Sequence, residues 1–217
     1  MKISKETINI LKNYAAINSN LLLSPGNRLR TTSVNKTVAS SITVPEEFPI
    51  EFGIYDLNSF LGALSLFTDP ELEFEEKYVS IKEKNNKIKF FAAGENIVKP
   101  PSKDIVFPTA DIVFDLPESV FTTIQRTSGV LKASDLSIIG DGNSIILTIG
   151  DKKNATSNSY ETAVGLTDKV FKANIKIENL KMLQSTYAVT IHSRIARFES
   201  AIGDLVYYCA IEADSTF

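Results

Sequence analysis

Little in this chain invites catalysis. Among 217 residues there is one cysteine, Cys209, one histidine, His192, and no tryptophan. A lone cysteine excludes an intramolecular disulfide framework, and a lone histidine excludes a His-rich metal site. The glycine patterns that cradle phosphates, G-x-x-x-x-G-K-[ST] and G-x-G-x-x-G, do not occur, nor does the G-x-S-x-G elbow of serine hydrolases. No apolar run approaches a membrane span, and MKISKETINI carries no apolar stretch of signal-peptide length. The expectation is a soluble cytosolic protein without cofactor, bound metal or membrane contact. An excess of one charge is missing too: 23 basic residues against 26 acidic give a net charge of −3. That balance argues against a broadly basic surface gripping nucleic acid. It leaves room for a few cations gathered on one face, so the placement of charge matters more than its sum.

What is present is ordinary globular text, 43% hydrophobic, enough for one large domain or two of about 110 residues each. Ser4 reads as a helix N-cap, with Ile3 and Ile8 placed for a hydrophobic staple. Ile8, Leu11, Tyr14 and Ala15 form the inward stripe of that helix. Lys5, Asn9, Lys12 and Ala16 form the outward one, with two cations and no acid. The period then drops toward two through NLLLS, NRLRTTSV and TVASSITV, with turn signals at Pro25-Gly26-Asn27 and Asn35-Lys36.

The stretch IYDLNSFLGALSLF (54–67) predicts a strand running into a short helix. Leu57, Phe60, Leu61 and Leu64 turn inward, and Asn58, Gly62 and Ser65 turn outward without charge. A hairpin follows about Asn85-Asn86.

Residues 94–117 hold four of the eight prolines and no helical period. Beyond them the order of elements recurs. A helix over 117–129 has Pro117 in its first turn, buries Val120, Phe121 and Ile124, and exposes Ser119, Thr122, Thr123 and Arg126. A hairpin pivots on Asp141-Gly142, SYETAVGL and VFKANIKI are strands, and ENLKMLQS is a short fourth helix. YAVTIHSRIARFES and LVYYCAIEA close the chain as a hairpin around 201–203. The fold class is therefore α+β, built from two similar domains, 1–93 and 115–217, joined by a connector over 94–114.

The residues able to do chemistry read as structural. His192 sits in an alternating strand, and Cys209 in a very apolar one. GDGNS is a turn, and in the acidic run Glu71, Glu73, Glu75 and Glu76 alternation puts the first three on one strand face, a solvated acidic face rather than a metal site. What remains is the placement of cations on helices: Lys5 and Lys12 on the first, Arg126 on the third with Lys132 just past its end, and Lys181 in the fourth.

Three stretches carry a resemblance. MKISKETINILKNYAAINS at the start, IYDLNSFLGALSLF in the middle and AIEADSTF at the end resemble the DNA sliding clamp of T-even-type bacteriophages, the processivity factor of the phage replicative polymerase. That family implies the DNA-clamp fold, with helices lining an inner face and antiparallel sheets outside, and no enzymatic activity. It implies a homotrimer closed head to tail around double-stranded DNA, held without regard to sequence. It also implies a phage DNA polymerase, a clamp-loader ATPase and late-transcription factors as partners, in the cytoplasm of an infected bacterium. By the same resemblance Lys5 and Lys12 lie on the first DNA-facing helix, and Arg126 matches a basic position of the third. Gly129 stands where a second arginine is expected, with Lys132 as a substitute. Val106, Phe107 and Phe217 fall in the region where clamps receive partner peptides. The competing expectation is a non-catalytic structural or assembly protein built from a duplicated β-rich domain.

Overall fold

The computed structural model describes residues 1–94, 97–98, 105–110, 112–154 and 156–217. Of the connector expected over 94–114, residues 95, 96, 99–104 and 111 therefore lie outside the described residues. The chain divides into two compact units, Met1–Lys36 with Ser40–Asp104, and Thr37–Ala39 with Ile105–Phe217.

The first unit runs α1 (Lys5–Ile17), β1 (Leu21–Leu23), β2 (Gly26–Thr32), most of β3 (Val38–Phe48), β4 (Phe52–Ile54), α2 (Leu57–Ser65), β5 (Glu71–Phe74), β6 (Tyr78–Glu83) and β7 (Asn86–Phe91). The second begins with a strand of its own, β8 (Ile112–Leu116). It continues α3 (Glu118–Leu131), β9 (Asp135–Asp141), β10 (Ser144–Gly150), β11 (Tyr160–Leu166), β12 (Val170–Lys176), a 3-10 turn at Ile177–Asn179, β13 (Tyr187–His192), β14 (Ile195–Ser200) and β15 (Val206–Ala210). After β8 the order is the same in both units: helix, four strands, a helical element, three strands. The pairings repeat as well. β1 pairs β4 as β9 pairs β12, β2 pairs β3 as β10 pairs β11, and β5-β6-β7 is an antiparallel meander like β13-β14-β15.

Alternation makes the strands amphipathic, and aromatic rings fill the space beneath the helices. In the first unit Phe74 meets Phe48 and Phe52 edge-on, and Phe60 of α2 meets Phe90 of β7. In the second, Tyr187 touches Phe121 of α3, Phe198 and Tyr207. Each fully buried ring among them contributes about 1.5–3 kcal/mol by burial. Burial also raises the Cys209 thiol to about 12, as suits a packed residue rather than a nucleophile. His192 ends β13 half-buried.

Several boundaries differ from the sequence expectation. The inward stripe of α1 is Thr7, Ile10, Leu11, Tyr14 and Ile17, leaving Ile8 and Ala15 only half-buried. The β6–β7 turn is Lys84-Asn85, with Lys84 at φ 52°. Pro117 is the N-cap of α3 rather than its first turn, and Ser128 is buried where Val120 is only half-buried. Helix α3 passes Gly129 and ends at Lys132, whose φ of 52° makes the left-handed cap. YAVTIHSRIARFES is two strands, β13 and β14.

The larger correction concerns the fourth helix. ENLKMLQS contributes only the end of the 3-10 turn and then runs without regular structure. Its backbone groups are met by side chains, two of them from far away in sequence. Gln125 of α3 donates to the carbonyls of Leu180 and Met182, both at 3.4 Å. Leu183 N donates to the Tyr207 hydroxyl, and the Tyr187 hydroxyl donates to Leu183 O. Buried backbone needs partners of some kind, and here side chains replace the helical ladder.

Candidate nucleic-acid interface

In the first unit α1 is fixed at its N-terminus by two layers of hydrogen bonds. The Ser4 hydroxyl accepts from Thr7 N at 3.1 Å, satisfying one of the helix's open donors. Behind it Glu46 of β3, 9% exposed, accepts from Ser4 N through one carboxylate oxygen and from the Thr7 hydroxyl through the other. Burial alone would raise the Glu46 pKa, but the hydrogen bonds from Thr7 and Ser4 outweigh it and hold the carboxyl below its usual range. With its inner face tied to β3, the helix presents Lys5, Asn9, Lys12 and Ala16 to solvent, all four exposed.

Glu46 was not singled out from sequence, though a signal exists. Ile42, Val44, Glu46 and Phe48 alternate on the buried side of β3, so an acid there needs a specific partner. Glu46→Ala is expected to destabilise the protein by about 2–3 kcal/mol, as loss of hydrogen bonds to a buried charge does. Because the folded pKa is depressed, this contribution is complete at neutral pH and is lost as pH falls below the usual glutamate range through the folded value. Urea midpoints of wild type and variant should therefore converge in acid; a constant gap would contradict this role.

Helix α2 starts on Asp56, whose carboxylate accepts from Asn58 N at 3.0 Å, Ser59 N at 3.2 Å and the Ser59 hydroxyl at 2.6 Å. Its outer face, Asn58, Gly62 and Ser65, is exposed and uncharged as expected. Ser65 donates back to Gly62 O at 2.7 Å.

In the second unit Arg126 is exposed on α3, and Lys132 is exposed at its cap. Lys181 is exposed too, but on the irregular segment between Leu180 and Met182 rather than on a helix. The Gln125 bonds to that segment bring Lys181 onto the element beside α3, so the second unit gathers Arg126 and Lys181 on neighbouring pieces of chain. Among the described residues Lys5, Lys12, Arg126 and Lys132 enter no ion pair. Some strand cations are paired, Lys82 with Glu73 and Lys176 with Asp135 at 2.6 Å, while Lys87, Lys89 and Lys172 enter no ion pair among the described residues. Glu71, Glu73, Glu75 and Glu76 are all exposed. Free cations on helices and acids on strands suit weak, sequence-independent attraction to phosphate.

The residues expected to receive partners fall into two contact groups. Phe107 lies against Tyr208 with the Arg197 guanidinium over its ring, while Val106 is 90% exposed. Phe217 instead stacks on Phe171, with ring planes 4° apart.

The sequence signature of the DNA polymerase processivity factor family matches residues 4–98. The chain is 34% identical over 224 residues to the sliding clamp of Vibrio phage KVP40, covering 98% of this chain and all of that one. It is 31% identical to the sliding clamp of Escherichia phage RB69, covering 100% and 99%. In fold it is similar to the proliferating cell nuclear antigen of Thermococcus kodakaraensis, with TM-score 0.70, 11% identity and 96% of each chain covered. Duplicated α+β units, this fold and full-length identity to phage clamps lead to one family: the chain belongs to the sliding clamps, the non-enzymatic processivity factors of phage DNA polymerases.

Proposed function

We propose that three copies of the chain close head to tail into a ring around duplex DNA and tether the phage replicative polymerase for processive synthesis. The observation that carries this reading is the set of unpaired, exposed cations on helices: Lys5 and Lys12 on α1, Arg126 on α3 and Lys132 at its cap. A ring holds DNA by topology, so its contacts can be few. Strong contacts would hinder sliding, and the charge-free outer face of α2 neither grips nor repels phosphate. Acids on the strands discourage binding of DNA outside the ring.

The joints fit the open sheet edges. Of the outer strands of the β5-β6-β7 sheet, β5 is covered by Met1, whose N-terminus donates to Leu72 O at 2.7 Å while Leu72 N donates to Met1 O. In the β11-β10-β9-β12 sheet, β12 is covered by Thr216. Among the described residues the opposite strands, β7 and β11, pair with no further strand, and they carry exposed Phe91 and Leu166. β7 of one copy against β11 of the next gives a heterologous contact that repeats until it closes.

Partners complete the reading. A clamp-loader ATPase opens and closes the ring, and late-transcription factors use it in the cytoplasm of the infected bacterium. Peptides from partners dock about Val106, Phe107 and Phe217. The test is primer extension on single-stranded circles by a T4-type phage polymerase with its loader and ATP. Adding the protein should lengthen the products severalfold, and unchanged products would overturn the reading.

Gly129 offers a gain of function. Nothing lies within 4 Å of a Cβ built there, and the position is exposed in α3. Gly129→Arg should stabilise the helix by about 0.8 kcal/mol and steepen the salt dependence of DNA retention. A flat salt response would remove this face of α3 from the DNA path.

A further inference from the structure

The C-terminal residues do more than end the chain. The segment from Glu212 to Phe217 runs along the outer edge of β12. Glu212 N donates to Asn174 O at 2.9 Å, and Asn174 N donates to the Ser215 hydroxyl at 2.9 Å. Thr216 and Lys172 exchange backbone hydrogen bonds at 2.9 and 2.8 Å. A latch holds its middle. Lys152, with an 11% exposed side chain, donates to Asp214 at 2.8 Å and has Glu212 at 3.9 Å and Asp135 at 3.8 Å. Asn174 Nδ2 also donates to Asp214, at 3.1 Å. At the end, the Phe217 ring lies parallel to Phe171 and lines a hollow of about 290 Å³ with Ile112, Ile191 and His192.

Each attachment is thin. One reciprocal backbone pair is formed, Asp214 is more than half exposed, and so is Phe217. Among the described residues the His192 Nδ1 atom is buried without a hydrogen-bond partner, although buried polar atoms almost always have one. Phe217 and His192 line the same hollow.

We propose that Glu212–Phe217 is an autoinhibitory strap, resting on the β12 edge and over the hollow until an incoming partner segment displaces it. The chemistry of that segment follows from its competitor: an extended strand with a carboxylate for Lys152 and an aromatic ring for the hollow, added to the sheet edge by backbone pairing. The inference rests on the docking of partner peptides about Val106, Phe107 and Phe217, and adds the regulation of that site.

The probe is a fluorescent peptide of the strap's own sequence with Ile211 before it, IEADSTF. The full-length variant Asp214→Lys with Thr216→Pro removes the latch and one backbone donor while keeping chain length. It should bind the peptide about ten-fold more tightly than wild type, since wild type admits it only in the fraction of time the strap is off. Phe217→Ala, which leaves the backbone pairing intact, should gain about three-fold on the same argument, and it decides the question if circular dichroism shows the double variant misfolded. Equal binding by wild type and variants, or binding by none of them, overturns the strap. Phe107→Ala separates the two readings. If it leaves polymerase stimulation unchanged while the unlatched variant takes up peptide, the docking site is wrong and the strap stands. If it abolishes stimulation while no variant takes up peptide, the strap is wrong and the docking site stands.

Discussion

Leu166→Glu is expected to leave the chain folded and to break the ring into monomers and open fragments. Leu166 ends β11 and is 85% exposed in the single chain, so a carboxylate there meets water and changes stability by less than about 0.5 kcal/mol. In the proposed ring the same side chain would lie against the neighbour's β7 and its exposed Phe91. Burying an unpaired charge there costs about 3 kcal/mol per joint, a loss of roughly a hundred-fold in each contact. Sedimentation across a dilution series reads the effect, with wild type as trimer where the variant is monomer. Phe91→Lys in the Leu166→Glu background should restore part of the assembly by supplying an opposite charge. A trimer that survives Leu166→Glu would move the joint away from β11.

The second large effect is expected from reversing the α1 cations. Lys5→Glu with Lys12→Glu changes only exposed, unpaired positions, and the Ser4–Thr7–Glu46 anchor that orients the helix is untouched. Unfolding midpoints should therefore stay at the wild-type value. In the ring the reversal acts in every copy, replacing phosphate attraction with repulsion. Each lost phosphate contact lowers the slope of log affinity against log salt by about 0.9. Loader-dependent processive synthesis at low salt should fall by about ten-fold or more, with the deficit shrinking as salt rises and screens the acids. A loss accompanied by unfolding would say nothing of DNA. Full processivity from a folded double variant would remove α1 from the DNA path.

How much of this was legible before folding depends on whether the physics is local. The cap at Ser4 and the outward stripe of Lys5, Asn9, Lys12 and Ala16 rest on neighbours within a few residues, and each is found where expected, while the hairpin expected on Asp141-Gly142 turns one residue later, on Gly142-Asn143. The duplication was legible from order alone. The 178–185 segment was not, because two of its competing partners, Gln125 and Tyr207, come from elements distant in sequence. Helical spacing of Leu180 with its neighbours could not reveal them. Gly129 shows the converse: a residue that commonly ends helices is carried through by a core that continues to Ser128 and a cap that waits for Lys132. For the candidate site, helical phase indicated that the cations face outward, but not that they stay out of ion pairs, since pairing depends on acids brought from other strands. The strap at Glu212–Phe217 was invisible, because strand addition by a terminus leaves no periodic trace in so few residues.

Encirclement of DNA is most directly tested by topology. The protein is loaded by a T4-type loader with ATP onto a nicked circular duplex, and the retained fraction is measured by gel filtration before and after the circle is cut once at a restriction site. A closed ring is retained on the circle through a salt wash and is lost when cutting creates ends to slide from. Equal retention on the circle and on the cut molecule would mean that contacts alone hold the protein, and would contradict the ring.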